Sequence, residues 1–436
     1  MKKLVGEIDV PVSSEFAESI LCYGMMQRRD VRLSNAKDVT VSEDLKDFSG
    51  KLGYSIDVDQ DEIRISGDHE AFQTEEVYSA RSISSFFRRM LILSRLDSRA
   101  PLEIPPETNG DFENQLIVYR RLGFDYDLLD SASPTQCAVR LKPAESIKYS
   151  LPLKNYHLVQ ALVEGAMTAG CSIEISSKHA VSFHPWATFP SIGIKVTELV
   201  ENQEEDELAR RLRKLKLNKN AQRRYVIAVN ESTGALEQVL PGDHVIALHL
   251  AALACMKRNS RVTMRGLPGV ASITDAFRLF AKMGAEIDIR DDKSVDGFDA
   301  VTVAVSPGAL TSRKFGGRTV RACPECFGPI AALAMFAEGK TVVRDLPFGS
   351  DMWRDRVGAV RQILQSCGAR VGEIEDGLVV ENGGELMMTE YLESDDPLLE
   401  YLQQSLSLAL PHHSGYETPP HFENSHLFRL YKQLIG

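Results

Sequence analysis

Lys282-Met283-Gly284-Ala285-Glu286-Ile287-Asp288-Ile289 closes one predicted helix and opens one predicted strand. The chain repeats this device as Lys51-Leu52-Gly53-Tyr54-Ser55-Ile56-Asp57-Val58 and as Arg121-Leu122-Gly123-Phe124-Asp125-Tyr126-Asp127-Leu128. A looser copy is Ser366-Cys367-Gly368-Ala369-Arg370-Val371. Glycine ends a helix cheaply because it takes the left-handed conformation without a Cβ clash. The alternation after it (Ile56, Val58; Ile287, Ile289) is that of a half-buried strand. Working outward, each copy follows a helix-like stretch, and an apolar strand with a turn precedes that. A recurring strand–helix–strand unit makes the fold an array of similar modules in an α/β chain.

At 436 residues the chain exceeds one ordinary core, so two domains of roughly 200 residues each are expected. Hydrophobic content of 43% and charged content of 25% are those of a globular protein. A net charge of −11 argues against nucleic-acid and anionic-membrane partners. Lys2 and Lys3 are followed by Glu7 and Asp9, which leaves no apolar core for a secretory peptide. The apolar stretches near Val245–Met256 and Pro329–Ala337 are too short to span a bilayer. Seven sparse cysteines suit a reducing compartment, so a cytoplasmic location is expected.

The predicted strands include Leu4–Val10, Val31–Leu33, Leu102–Ile104, Ile147–Leu153, Ser172–Ile175, Val226–Val229, Val262–Met264 and Thr341–Val343. Predicted helices are Ser13–Met26, Glu43–Leu52, Ser79–Leu96, Tyr156–Ala169, a long apolar one after Gly242-Asp243 through Met256, and His426–Leu434. Glu201–Arg224 runs from acidic to basic and places Leu208, Leu212 and Leu215 on one face, the pattern of a solvated surface helix.

The run Pro241-Gly242-Asp243-His244, Ala251–Ala254, Val262-Thr263-Met264-Arg265-Gly266-Leu267 and Phe280-Ala281-Lys282-Met283-Gly284-Ala285 resembles the second half of the EPSP synthase family of enolpyruvyl transferases. Ala331–Arg344, with Phe336-Ala337-Glu338-Gly339 at its centre, resembles it as well. The resemblance implies an α/β, two-domain enolpyruvyl transferase fold. Each domain is then three βαβαββ units forming an inside-out α/β barrel, with two crossover strands between the domains. It implies one domain from residues 1–13 plus 243–436 and another from 14–242. It also implies a monomer that uses no cofactor and closes on a small anionic metabolite bearing phosphate or carboxylate.

The family's chemistry holds phosphates and carboxylates with arginine and lysine through charge-assisted hydrogen bonds. A carboxylate and a lysine then move protons. Carried onto this chain, the resemblance places the general-base carboxylate on Glu325 and substrate contacts on Ser13, Ser14, Arg88, Lys154, Asp355 and Arg356. Five positions where it implies cations read Ser14, Ser19, Met352, Leu398 and Ser425. Its Gly-Thr pair reads Ser84-Ser85, and its phosphate-holding triplet reads Leu153-Lys154-Asn155. Loss of one partner of a desolvated charge pair costs about 2–5 kcal/mol. Five losses, although not additive, reach roughly 10 kcal/mol, the scale of a modest enzymatic acceleration. The expectation is therefore a family relative with a degraded active site, serving as a ligand- or partner-binding scaffold. The competing expectation is an active carboxyvinyl transferase, either a shikimate-pathway EPSP synthase or a relative with an altered substrate and rearranged groups, Lys154, Arg81, Arg89 and Arg354 being the cations at hand.

Other signals carry less. Cys323-Pro324-Glu325-Cys326 has no second ligand pair at zinc spacing and is read as two thiols near a loop. His412-His413 is read as a surface turn, and Phe86-Phe87 as core packing. There is no P-loop or dinucleotide fingerprint. No cysteine lies between Cys22 and Cys137 to form the reactive loop of the UDP-sugar branch of the family.

Overall fold

In the computed structural model the described residues are 2–67, 76–80, 82–96, 100–105, 110–128, 136–141, 146–150, 159–177, 192–200, 223–229, 234–293, 295, 297–346 and 351–435. By internal packing the chain divides into two compact units, Met1–Ser13 with Val239–Gly436, and Ser14–Gln238.

The repeated glycine device is a structural fact in all four copies. Gly53, Gly123, Gly284 and Gly368 have φ of 78°, 91°, 111° and 91°, the left-handed region that favours glycine. Each is followed by a strand, Tyr54–Val58, Phe124–Leu128, Glu286–Asp292 and Arg370–Ile374 respectively. Ile287 and Ile289 are half-buried as alternation predicts, while Val58 is 47% exposed.

In the unit that contains the N-terminus, the first sheet runs Val5–Asp9, Arg261–Pro268, Ala300–Ser306, Glu286–Asp292. Its first pair is parallel, with Val5 opposite Arg261, and the next two pairs are antiparallel. The second sheet, Lys314–Phe315, Lys340–Val343, Gly377–Glu381 and Arg370–Ile374, repeats that pattern of one parallel and two antiparallel pairs. Among the described residues the other unit holds three sheets. In one of them, Ser146–Ser150 pairs parallel with Ser172–Ser177, and two antiparallel pairs continue it through Arg223–Val229 to Ile194–Val200. A parallel pair must be joined by a crossover, and helices supply it, which is why helix and strand alternate along the sequence.

The helix His244–Met256 is apolar on every side and is buried from Ile246 to Met256. A helix with no polar face belongs inside a core, and this one packs against Pro397–Ala409 and Phe327–Ala334. Asp243 starts it, accepting hydrogen bonds from the N–H of Val245 at 2.7 Å and Ile246 at 3.4 Å. No helix among the described residues is long and apolar enough to cross a membrane.

Two boundaries differ from expectation. The helix predicted from Ser79 begins at Ile83, because Ser82 caps it by accepting from the Ser85 N–H, and Tyr78 instead bridges Leu102. Arg223 and Arg224, expected to end a surface helix, open the strand Arg223–Val229, where Arg224 meets Glu174 at 3.5 Å. The rest of that predicted helix, residues 201–222, lies outside the described residues. The last helix is His426–Leu434, as predicted.

Candidate functional site

Arg88 sits on the helix Ile83–Arg95 with 11% of its side chain exposed. Its Nη2 donates to Ser19 Oγ at 2.8 Å, and Ser19 in turn donates to the Glu15 carbonyl at 2.8 Å. Its Nε lies 3.8 Å from Oε1 of Glu164, a carboxylate only 4% exposed on the helix Val159–Ala169. Burial works against the Arg88 charge, but Glu164 and the more distant carboxylates outweigh it and raise its pKa. The Cys22 thiol beside it is pushed up to about 12 by burial, and Arg88 counters that only in part. The neighbouring Arg89 is ion-paired to Asp44 and stacks over Phe48 at 4.8 Å.

Ser14 is committed to local structure: its Oγ accepts from the Thr40 N–H at 3.0 Å. Ser13 ends the N-terminal segment of the other unit. Lys154 and Arg81 lie outside the described residues.

The unit containing the N-terminus carries a small pocket lined by His249, Glu325, Phe327, Trp353, Arg356 and Leu398, among others. It has room for about one water, roughly 10 Å³. Arg356 reaches it from the helix Asp351–Ser366 and forms a two-pronged ion pair with Asp396, its Nη2 donating to Oδ1 at 3.3 Å. The guanidinium lies 5.0 Å from the centre of the Trp353 ring. Asp396 also accepts from the Leu398 N–H at 3.0 Å, capping the helix Pro397–Ala409. Leu398 thus forms an apolar wall where the resemblance implied a cation. Ser425, another such position, caps His426–Leu434 by accepting from the Phe428 N–H at 3.1 Å. Asp355 is exposed and does not line the pocket, since one helical step turns it away from Arg356. Met352 lies on the same helix, but its side chain is outside the described residues.

Sequence reasoning missed two residues of this region. His249 is 1% exposed, its Nδ1 lies 3.5 Å from Ser405 Oγ, and its buried Nε2 has no hydrogen-bond partner among the described residues. Burial holds it neutral, with its pKa pushed down to about 3. A histidine inside an all-apolar helix was the available signal. His244 is the second: its ring, the Cys323 sulfur and the Glu325 carboxylate offer atoms all within 4.8 Å of one another. Glu325 therefore borders both the pocket and this cluster. Burial first, then Glu325, pushes the Cys323 thiol well above its ordinary range. Cys323 and Cys326 are free thiols beside a short turn, as read from the sequence. Both are buried, on and beside the short 3-10 turn Pro324–Cys326, and Cys323 has two potential co-ligands. The six cysteines whose side chains are described are free. His412 and His413 are exposed, and Phe86 and Phe87 are buried in an edge-to-face pair, both as expected.

Comparison with known proteins puts these features in a family. The model for EPSP synthase (3-phosphoshikimate 1-carboxyvinyltransferase) matches residues 168–395, just over half of the chain. The 3-phosphoshikimate 1-carboxyvinyltransferase of Geobacter sulfurreducens is 24% identical over 257 residues, covering 59% of this chain and 55% of that protein. The one from Thermosynechococcus vestitus is 30% identical over 151 residues, 35% of this chain and 34% of its own length. The chain therefore spans about half, or less, of the length of these relatives. EPSP synthase from Acinetobacter baumannii superposes with a TM-score of 0.69 over 99% of this chain and 96% of its own, at 14% identity. The enolpyruvyl transferase NikO from Streptomyces tendae does so with a TM-score of 0.67 over 100% and 95%, at 16% identity. The α/β fold is that of the enolpyruvyl transferases over the full length, and the chain belongs to the EPSP synthase family.

Proposed function

We infer that this family member does not perform carboxyvinyl transfer from phosphoenolpyruvate to shikimate 3-phosphate and acts instead as a binding protein for one small anionic metabolite or a protein partner. A single observation carries the reading. The two arginines retained at family cation positions are each neutralised by a carboxylate of their own unit, Arg88 by Glu164 and Arg356 by Asp396. A cation already matched by a carboxylate cannot also hold a substrate phosphate at full strength, because the substrate must first displace or outbid its partner. The substituted positions support the same reading, since Ser14, Ser19 and Ser425 hydrogen-bond the protein itself and Leu398 is apolar. Ser13, Lys154, Asp355 and Glu325 remain as the other contacts proposed from the family pattern.

The test is phosphate release from phosphoenolpyruvate with shikimate 3-phosphate, run beside calorimetry of each ligand separately. Background release, with weak binding of a single anion or none, is expected. Sustained release above background that disappears in the Glu325→Gln variant would show an active transferase and overturn the reading.

A further inference from the structure

We propose that His244, Cys323 and Glu325 form a binding site for a divalent transition-metal ion of the zinc class. The three groups offer one nitrogen, one sulfur and one oxygen within 4.8 Å of one another. Donors around a tetrahedral zinc stand about 3.4–3.6 Å apart, from bonds of about 2.3 Å to sulfur and about 2.0–2.2 Å to nitrogen or oxygen, so side-chain rotation closes the remaining gap. A mixed set of thiolate, imidazole and carboxylate favours a borderline ion such as zinc over calcium or magnesium, which take oxygen alone.

The ligands come from separate elements, and each element is locked. His244 is the first residue of its helix, held by the Asp243 cap that bonds the N–H groups of Val245 and Ile246. Cys323 and Glu325 flank Pro324, whose ring restricts the backbone between them. The Cys323 N–H donates to the Thr319 carbonyl at 3.1 Å, and the Cys326 N–H donates to the Cys323 carbonyl at 3.2 Å. The short helix before them, Arg318–Ala322, is anchored by Asp345, which pairs with Arg321 and accepts from the Gly317 N–H at 2.6 Å. A backbone fixed in this way leaves only side-chain rotations to be ordered on binding, which keeps the entropy cost small.

A second observation points to the same place. Glu325 also lines the water-sized pocket bordered by His249, whose buried Nε2 has no hydrogen-bond partner among the described residues. Solvent there can supply the fourth ligand of a tetrahedral ion, as in zinc sites with three protein ligands. On binding, the Cys323 S–H bond breaks, its proton goes to solvent, and the sulfur lone pair forms the bond to the metal. No electron is transferred. The site goes beyond the proposed loss of transferase activity, and its test does not read turnover.

The experiment titrates the chelator-treated full chain with Co²⁺, then displaces the ion with Zn²⁺. One equivalent is expected to bind, with a thiolate-to-cobalt charge-transfer band in the near ultraviolet and visible bands of tetrahedral geometry. Cys323→Ser is expected to abolish the charge-transfer band, while Cys326→Ser keeps it. His244→Ala and Glu325→Gln should keep the thiolate band yet weaken affinity by more than the roughly 10–100-fold lost with an outer-shell partner. Zn²⁺ should raise the melting temperature of the parent and not of Cys323→Ser. Absence of the band, or its survival in Cys323→Ser, overturns the proposal. Should Cys323→Ser fail to fold, unchanged affinity in the half-buried His244→Ala variant overturns it equally.

Discussion

At Gly53 in one unit and Gly284 in the other, a helix ends in a left-handed residue with nearly the same sequence around it. A Cβ on Gly53 would meet nothing within 4 Å, whereas on Gly284 it would stand 2.1 Å from the Ala309 carbonyl oxygen. Gly308 returns the constraint, its Cβ falling 1.9 Å from the Gly284 oxygen, and Gly368 and Gly383 repeat the arrangement at 2.5 Å from Glu385 and 1.7 Å from Gly368. Glycine is thus required at Gly53 for its backbone angle alone. At Gly284 it is also required because another stretch of backbone crosses against it. Arg88 and Arg356 divide between the units in a similar way. The Arg88–Glu164 pair is sealed, at 11% and 6% side-chain exposure, while Arg356–Asp396 is looser at 19% and 20%. One unit hides its charge in the core, and the other keeps it at the edge of a small pocket.

That contrast breaks most easily at its most buried point. Glu164→Ala leaves the Arg88 guanidinium without its compensating charge and is expected to cost about 3–5 kcal/mol in urea unfolding. Replacing both residues, Glu164→Leu with Arg88→Met, should recover most of the loss. A cost near zero for the single variant would mean the pair is already solvated.

Next comes Gly284→Ala, expected to cost about 3 kcal/mol from left-handed strain together with overpacking against backbone. Gly53→Ala should cost only about 1 kcal/mol, the conformational part. Equal midpoint shifts in the two variants would erase the distinction between the units.

His249 sharpens the picture of the pocket. Its pKa is about 3 in the folded chain against an ordinary 6.5, so below pH 6.5 the unfolded state binds a proton that the folded state refuses. Its contribution to stability is therefore complete above pH 6.5. It declines by about 1.4 kcal/mol per pH unit as pH falls toward 3. The His249→Leu variant, compared with the parent by urea unfolding from pH 7 to pH 4, should lack that share of the slope. Identical slopes would mean that the imidazole is hydrated.

The smallest effect is expected at Asp396→Ala, about 1 kcal/mol, mostly the lost helix cap with a minor share from the partly exposed ion pair. A loss as large as that of Glu164→Ala would place both arginine pairs in the same class.

Local signals made much of this legible beforehand. Glycine stops and the alternation of Ile287 and Ile289 act within a few residues, so the helix ends and the strands after them could be read directly. The helix predicted from Ser79 began late because a serine cap at Ser82 overrode a helical composition. The arginines were legible as positions, but their neutralisation was not, because Glu164 and Asp396 arrive from other helices. The same limit hid the cluster at Cys323. Spacing rules look for ligands nearby in sequence, and His244 comes from the start of a distant helix.

By itself the sequence determined the modular α/β plan and the family, since both are carried by short patterns and residue identity. Only the tertiary structure decided which charges are already matched and which donor atoms converge. Electrostatic pairing and metal ligation depend on distance in space, and a linear order of residues does not contain it.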